Sequence, residues 1–133
     1  MFWVSWWAFV TVFLIASVAH AEGGTASWYS TECCRSNPDP NCPTASGQSL
    51  YNLEHRGVLF AAMWDVPLGS SVRVCRADSR DQLSDRSRCV VVRVMDRGPA
   101  RWLGRLIDLG REAFEQIADP REGLVQVTVE RLP

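Results

Sequence analysis

The chain contains no lysine and carries almost no net charge. All fourteen basic residues among its 133 are arginine, and fifteen acidic residues leave a formal net charge of −1. A protein that mainly binds nucleic acid needs a clear excess of positive charge, so this balance argues against a nucleic-acid partner. Internal repeats and low-complexity segments are also absent from the sequence, which argues against a repeat architecture.

A long apolar run occurs only at the N-terminus, where it reaches Val18 and is followed by Ala19-His20-Ala21. Small residues at this spacing predict a secretory signal peptide, residues 1–21, which leaves residues 22–133 as one small exported domain. No Lys or Arg precedes the run. An uncleaved membrane anchor is the alternative, because the run is nearly long enough to span a bilayer. The predicted location is the periplasm, the cell envelope or the medium, with membrane contact only through this segment.

Five cysteines follow the leader: Cys33, Cys34, Cys42, Cys75 and Cys89. Disulfides are the default expectation for an exported domain of this size. Cys75 and Cys89 border apolar segments and are expected to link neighbouring strands, while Cys42 pairs with either Cys33 or Cys34 and one thiol is left over. The alternative is a metal site that adds His55 to the first three cysteines. That spacing matches no zinc pattern, so neither a metal nor another cofactor is predicted.

Six short segments are rich in β-formers or alternate between apolar and polar residues, and these are expected to form strands: Gly24–Ser30, Val58–Met63, Ser71–Arg76, Val90–Met95, Arg105–Leu109 and Leu124–Val129. The fifth segment is also compatible with the lead-in to a helix. Apolar residues at helical spacing predict one short helix over 111–118, capped by Asp108 or Gly110. Residues 31–52 have loop composition, and 77–88 form a long hairpin loop. The absence of a βαβ rhythm predicts an all-β, closed or nearly closed small barrel.

Five blocks occur in a characteristic order: GTASWYS, TASGQSLYN, AAMWDVPLGSSVRV, VVVRVMDRGP and RLIDLGREAFEQI. Together they resemble the rare lipoprotein A (RlpA)-like family of cell-wall proteins over nearly the whole exported part. The resemblance implies a six-stranded double-psi β-barrel, the fold shared with the first domain of expansins and with barwin-like proteins. It also implies peptidoglycan lytic transglycosylase activity, with glycan strands as the partner. A monomer is expected.

Two departures from the family pattern leave the activity open. Transglycosylase members carry Glu after the T-A-S-G block, where this chain has Gln48, and His after the Ala-Ala pair, where it has Met63. The Asp of the D-R-G-P block is kept as Asp96. Glu54 and His55, in a lengthened loop, are candidates to replace the missing pair.

Asp96 is the candidate acid and base. A lytic transglycosylase needs one carboxyl that protonates the glycosidic oxygen and then takes a proton from the sugar's own hydroxyl, without an activated water. The alternative is that Asp96 only forms a turn before Gly98-Pro99. Gln48 can hydrogen-bond a sugar but cannot transfer a proton as a carboxyl does, and Met63 cannot replace an imidazole.

Aromatic and polar residues in the family blocks are the candidate substrate-binding residues: Trp28, Tyr29, Thr44, Ser46, Gln48 and Arg97. Trp64 and Trp102 lie in loops beside these blocks, Asp65 is expected in a loop, and Asp108 as a helix cap. The primary prediction is therefore an exported barrel that binds or remodels peptidoglycan glycan. An active endolytic transglycosylase using Asp96 is the first alternative, and a non-catalytic partner-binding barrel is the second.

Overall fold

The computed structural model describes residues 20–77 and 88–133, and within them six strands close into a barrel. The strands are β1 (Ala21–Tyr29), β2 (Phe60–Met63), β3 (Ser71–Arg76), β4 (Cys89–Asp96), β5 (Ile107–Gly110) and β6 (Val125–Arg131). Their order around the barrel is β1-β5-β2-β4-β3-β6. The pairs β1/β5 and β2/β4 are parallel, and the other four pairs are antiparallel. The predicted six-stranded closed barrel is confirmed.

Helical structure is more extensive than the single predicted helix. Two α-helices, α1 (Leu50–His55) and α2 (Arg111–Glu115), are accompanied by 3-10 helices at Thr31–Ser36, Arg101–Leu103 and Pro120–Glu122. α2 confirms the predicted helix, although it ends at Glu115 instead of residue 118. The other elements are three to six residues long, which is too short to show a helical period in the sequence. Gly110 is the N-cap residue of α2, so the expected capping role of Asp108 is wrong.

The predicted signal segment lies largely outside the described residues, which begin at His20. β1 starts at Ala21, the last residue of the predicted signal peptide, and Ala21 pairs with Glu130. Within the described parts of the chain, no helix is long and apolar enough to cross a membrane.

Strand alternation fills the barrel with apolar side chains. On β4, Val90, Val92 and Val94 are buried while Val91 and Arg93 are exposed. Such a period-2 pattern directs every second side chain to the same face of a sheet. The inward residues of the other strands and of α2 complete one main core cluster.

A second apolar cluster connects the segment between β1 and β2 to the barrel. It contains Leu50 and Leu53 of α1, Phe60, Met95 and the disulfide between Cys34 and Cys42. The sequence predicted only a loop for residues 31–52, because Cys, Pro, Asn and Gly dominate its composition. The disulfide and the buried leucines explain how this polar segment is nevertheless held in a defined position.

The second disulfide joins Cys75 and Cys89, which are direct partners in the β3/β4 pairing. This is the strand-linking bridge expected from the sequence. For Cys42, the structure selects Cys34 and leaves Cys33 as an exposed free thiol. Most of the 77–88 hairpin loop lies outside the described residues, although the antiparallel β3/β4 pairing fits the predicted hairpin.

A bulge in β4 decides which way its last residue faces. Ala61 on β2 pairs with Val94, but the next residue, Ala62, pairs with Asp96, so Met95 is an extra residue on β4. Without the bulge, alternation would place Asp96 on the inward face with Val94. The one-residue shift reverses the facing of the residue after it, and Asp96 therefore lies on the outer face beside Ala62.

Candidate functional site

Four outward-facing residues form a row across four adjacent strands. Ser27 on β1 pairs with Asp108 on β5, Asp108 pairs with Ala62 on β2, and Ala62 pairs with Asp96 on β4. Adjacent strands are about 4.8 Å apart, so the Cα atoms of the two aspartates are separated by roughly 9.5 Å. Ala62, the smallest chiral residue, lies between them and leaves open space above the strand.

Asp96 is held mainly through one of its two oxygens. Its Oδ1 accepts hydrogen bonds from the backbone N–H groups of Ala45 and Arg97, each at 2.9 Å. Its Oδ2 has a long contact of 3.4 Å with the hydroxyl of Tyr29. The backbone donors therefore orient the carboxylate, while Oδ2 is available for a stronger hydrogen bond.

Asp108 is tied by side chains on both oxygens. The Ser27 hydroxyl donates to its Oδ1, and the guanidinium of Arg105 donates to Oδ1 at 3.1 Å and to Oδ2 at 3.4 Å. Both partners of this ion pair are partly buried, with side-chain exposures of 25% for Arg105 and 16% for Asp108. Both oxygens of Asp108 are thus already hydrogen-bonded, whereas Asp96 has no ion-pair partner within 4 Å in the described part of the chain.

Tyr29 and Cys33 lie at the rim beside Asp96. Tyr29 packs edge-on against Phe60, with ring centroids 5.5 Å apart. Burial, followed by the negative charge of Asp96, raises the pKa of the Tyr29 hydroxyl above its usual value, so this group remains a proton donor at neutral pH. The same two causes raise the pKa of the Cys33 thiol. Although Cys33 is an exposed residue, it lines the cavity.

These residues surround an open cavity of about 270 Å³. Its wall is completed by Ala62 and by Arg97, Gly98, Pro99 and Ala100, which come after β4. Gly98 has φ of +148°, a conformation that other residues rarely adopt, and a Cβ there would lie 3.6 Å from that of Ala62. Glycine thus allows the chain to turn closely past the strand. The cavity combines two carboxylates, a phenol and a thiol.

The T-A-S-G segment supports Asp96 through its backbone. Thr44 is buried, and its hydroxyl bonds the Ser46 hydroxyl and the carbonyl of Gln48, both at 2.8 Å. The backbone N–H of Ser46 donates to the carbonyl of Met95, the bulged residue. The hydroxyls of Thr44 and Ser46 are therefore used to shape this turn, and Gln48 is exposed at its edge.

Met63 and Arg97, two predicted site residues, are engaged elsewhere. The Met63 side chain is 3% exposed, belongs to the main core and does not line the cavity around Asp96. One guanidinium nitrogen of Arg97 donates to the carbonyls of Met63 and Val66, at 2.9 and 2.7 Å. Arg97 thus contributes to the cavity wall while its charge is directed to the β2–β3 connection.

Two tryptophans, Trp28 and Trp64, hydrogen-bond to the backbone. The indole N–H of Trp28 donates to the carbonyl of Pro120 at 2.9 Å, and Arg111 lies over its ring. Trp28 packs against the main core and does not line the cavity around Asp96. The Trp64 indole likewise donates to the Pro99 carbonyl, at 2.7 Å.

Glu54 and His55 lie away from the cavity around Asp96. The Glu54 carboxylate accepts hydrogen bonds from the backbone N–H and the hydroxyl of Thr31, both at 2.9 Å. It therefore connects α1 to the first 3-10 helix and lines a separate cavity of about 200 Å³. His55 is exposed at the end of α1 and lines neither cavity.

The sulfur atoms of Cys33, Cys34 and Cys42 lie within 4.8 Å of one another. Two of them are joined as a disulfide, and a metal ligand must be a thiolate. Of these three cysteines, only Cys33 could therefore coordinate a metal while the disulfide is intact. His55 is not part of that group among the described residues.

Asp108 lines the cavity, although the sequence predicted only a capping role for it. A signal was present, because Asp108 stands between the buried Ile107 and Leu109 in a strand-like segment. A carboxylate at that position faces away from the core, as Asp96 does. Chemically, the pair can accept hydrogen bonds from a polyhydroxylated ligand, and Asp96 can in addition exchange a proton through Oδ2.

Comparisons with known proteins match this fold. A mutant expansin of Clavibacter michiganensis, solved in complex with cellohexaose, superposes with a TM-score of 0.58 at 15% identity, over 86% of this chain and 51% of the expansin. At that identity the likeness shows the fold.

Sequence relatives include an uncharacterized protein of Synechocystis sp., 41% identical over 66% of this chain and 80% of the relative. The endolytic peptidoglycan transglycosylase RlpA of Pseudomonas aeruginosa is 35% identical over 84% of this chain, which spans 28% of that relative's length. A family model described as lytic transglycolase matches residues 21–129. The chain therefore belongs to the lytic transglycolase family of RlpA-like double-psi β-barrel proteins.

Proposed function

We propose that the cavity around Asp96 and Asp108 binds peptidoglycan glycan strands, and that the protein acts after export, in the cell envelope or medium. The observation that carries this proposal is the row of outward residues in which Ala62 separates the two carboxylates. Sugar hydroxyls are hydrogen-bond donors, and two fixed carboxylates about 9.5 Å apart at their Cα atoms offer acceptors along a strand of sugars.

The comparisons support glycan as the ligand class. The P. aeruginosa relative is a peptidoglycan transglycosylase by name, and the expansin neighbour was solved with cellohexaose. The near-neutral charge of this chain suits a ligand of low charge density, such as a glycan strand. Gln48 is exposed at the edge of the T-A-S-G turn and would offer its amide to a sugar substituent.

A second candidate function is glycan cleavage with Asp96 as both acid and base. Its supporting observation is the asymmetry of the two oxygens, since Oδ1 is held by two backbone donors while Oδ2 has only the 3.4 Å contact with Tyr29. A protonated Oδ2 would give its proton to the glycosidic oxygen as the C1–O bond breaks. The resulting carboxylate would take the proton of the sugar's own hydroxyl as that oxygen bonds to C1, which closes an anhydro ring without water.

Asp108 would assist without transferring the proton. Its two oxygens already accept hydrogen bonds from Ser27 and Arg105. A carboxylate in this position can stabilise the positive charge that develops on the sugar ring.

The test measures binding and product formation on the same samples. The purified protein, Asp96→Asn, Asp108→Asn and Glu115→Gln are each mixed with peptide-stripped peptidoglycan. Glu115 is a suitable control because it is an exposed carboxylate on α2, paired with Arg111. The bound fraction is measured by sedimentation, and the soluble products are analysed by mass spectrometry.

We expect the original protein and Glu115→Gln to bind, and both aspartate variants to bind at least tenfold more weakly while keeping a native circular dichroism spectrum. Anhydro ends that vanish in Asp96→Asn would establish cleavage, and binding without such ends would establish a binding barrel. No binding by the original protein, beside an RlpA that binds in the same assay, would overturn the proposal.

A further inference from the structure

Trp102 is the most exposed of the large apolar side chains in the described residues. It is 86% exposed, and the other five range from 39% to 57%. Tryptophan normally buries a large area on folding or binding, and an indole left in water forgoes that stabilisation. Within the described residues, Trp102 makes neither an indole hydrogen bond nor a cation contact of the kind that holds Trp28 and Trp64, so the fold itself makes little use of its ring.

The turn that carries this exposed ring has contacts with the neighbouring loop. Arg101, the preceding residue, has its guanidinium 4.7 Å from the centroid of the Trp64 ring and 3.8 Å from a carboxylate oxygen of Asp65. The 3-10 turn is closed by the Leu103 N–H, which donates to the Ala100 carbonyl. Because the backbone of this turn is already ordered, a ligand that settles on the ring pays less entropy than it would on an unstructured segment.

Trp102 is close to the candidate site along the chain. Ala100 lines the cavity and is also the N-cap residue of the 3-10 helix that carries Trp102. Consecutive Cα atoms are 3.8 Å apart, so the Cα of Trp102 is within about 7.6 Å of that of Ala100. A sugar chain that occupies the cavity and extends past Ala100 would meet the indole with its next rings.

The charges that flank Trp102 in the sequence are already paired, which argues against a basic surface around the ring. The side chain of Arg101 is paired with Asp65, and that of Arg105 with Asp108. Binding to an anionic lipid surface relies on basic residues around the apolar anchor. A pyranose ring instead offers an apolar face of C–H groups to the indole and keeps its hydroxyls directed to water.

We propose that Trp102 is a stacking platform for a sugar ring of the glycan strand, one subsite beyond the two carboxylates on the Ala100 side. This inference rests on the glycan binding proposed above and adds a contact outside the cavity. It makes the bound strand longer than the cavity alone would hold.

The experiment compares Trp102→Ala, Trp102→Phe and Leu124→Ala in sedimentation with peptide-stripped peptidoglycan. Leu124 is an apolar control, 57% exposed, just before β6. We expect Trp102→Ala to weaken binding at least tenfold, and Trp102→Phe to retain most of it because a ring remains. Leu124→Ala should bind like the original protein. Acrylamide quenching of tryptophan fluorescence should also fall when glycan is added to the original protein.

The outcomes separate this inference from the proposed function. Equal binding by the original protein and Trp102→Ala would overturn the stacking role and leave glycan binding intact. No binding by either would overturn both. Sedimentation with phosphatidylglycerol vesicles that requires Trp102, in the absence of glycan binding, would overturn the platform in favour of a membrane. Dimers in analytical ultracentrifugation that require Trp102, again without glycan binding, would overturn it in favour of a second copy of the chain.

Discussion

Asp96 and Asp108 lie on the same outer face of the barrel, each directly opposite Ala62 on the strand between them. They reach this arrangement by different routes, since Asp108 follows the ordinary alternation of β5 and Asp96 depends on the bulge at Met95. The two carboxylates also differ in their partners. Asp108 has Arg105, whereas Asp96 is held by backbone N–H groups and Tyr29.

The space above Ala62 is expected to be essential for ligand binding. Ala62→Leu would fill the gap between the carboxylates and should reduce glycan binding at least tenfold, with a loss of about 1–3 kcal/mol in stability from overpacking. Ala62→Ser, which is nearly the same size, should retain binding. Sedimentation with peptidoglycan and urea denaturation measure the two effects. Strong binding by the leucine variant would contradict a ligand position between the aspartates.

The Tyr29 hydroxyl is expected to support Asp96 without contributing much to the fold. Tyr29→Phe keeps the ring against Phe60 and removes the hydroxyl contact to the carboxylate. Stability should change by no more than about 1 kcal/mol, and glycan binding or cleavage should fall several-fold. Tyr51→Phe, at an exposed position on α1, is the control.

A spectroscopic measurement checks the environment of Tyr29 separately. Because burial and the charge of Asp96 raise the pKa of its hydroxyl, Tyr29 should contribute no phenolate absorbance below about pH 11, where an ordinary tyrosine with pKa about 10 is mostly ionised. The titration curve of Tyr29→Phe should therefore overlay that of the original protein up to that pH. A clear loss of signal would show that Tyr29 ionises normally.

Restoring the family residue should affect stability differently at positions 48 and 63. Gln48 is exposed, so Gln48→Glu should change the free energy of unfolding by no more than about 0.5 kcal/mol. Met63 is 3% exposed in the core, so Met63→His should destabilise by about 1–3 kcal/mol through burial of an imidazole. Denaturation in urea measures both. Equal, small effects would place residue 63 at the surface, contrary to the structure.

The disulfides are expected to stabilise the fold according to the loops they close. Cys75 and Cys89 are separated by 14 residues, and Cys34 and Cys42 by 8. Replacing either pair by alanine should lower the free energy of unfolding, by about 3 kcal/mol for the longer loop and about 2.6 kcal/mol for the shorter. Cys33→Ser should have no such effect. A large destabilisation by Cys33→Ser would indicate that Cys33 takes part in a bridge.

Stability at acid pH should depend on Asp119, the N-cap residue of the last 3-10 helix. Hydrogen bonds from the side chain and backbone of Arg121 lower the pKa of Asp119 from 3.8 to about 2. A carboxyl whose pKa is lower in the folded state stabilises the fold above its unfolded pKa, and this contribution disappears as the pH falls from about 4 to about 2. Asp119→Asn, which keeps an acceptor oxygen, should lower Tm at pH 7 and not at pH 2.

The Tm difference at pH 7 should be small, because the carboxylate is exposed and screened by salt. A Tm difference that persists at pH 2 would show that charge is not its cause.

The strands and one disulfide were predictable because both depend on local patterns. Alternating valines in β3, β4 and β6 specify which face is buried, and the six strand segments overlap the observed ones. Cys75 and Cys89 adjoin two such strands, so their pairing followed from the strand assignment. The choice between Cys33 and Cys34 could not be made in this way, because the two residues are adjacent. The conformation of the 3-10 helix that contains both decides which sulfur faces Cys42.

The site was only partly predictable. Asp96 and Tyr29 were expected in the groove and line the cavity, whereas Trp28, from the same sequence block, faces the core side of β1. Asp108 was interpreted as a cap because it precedes a helical segment, but the strand continues through it to Gly110. Local sequence could not show which of these side chains face the cavity, because that depends on the residues with which each one pairs on the neighbouring strands.

By itself, the sequence determined the class of the molecule: a small barrel of alternating strands with a carboxylate at the end of its most apolar strand. The tertiary structure decided which surface that carboxylate faces. The residue that shifts the register, Met95, is apolar and looks like a continuation of the strand. Only the pairing with β2 shows that it is extra, because Ala61 pairs with Val94 and the next residue, Ala62, with Asp96. Because facing reverses with every residue of a strand, that single insertion moves Asp96 from the core side to the surface, opposite Ala62 and in line with Asp108.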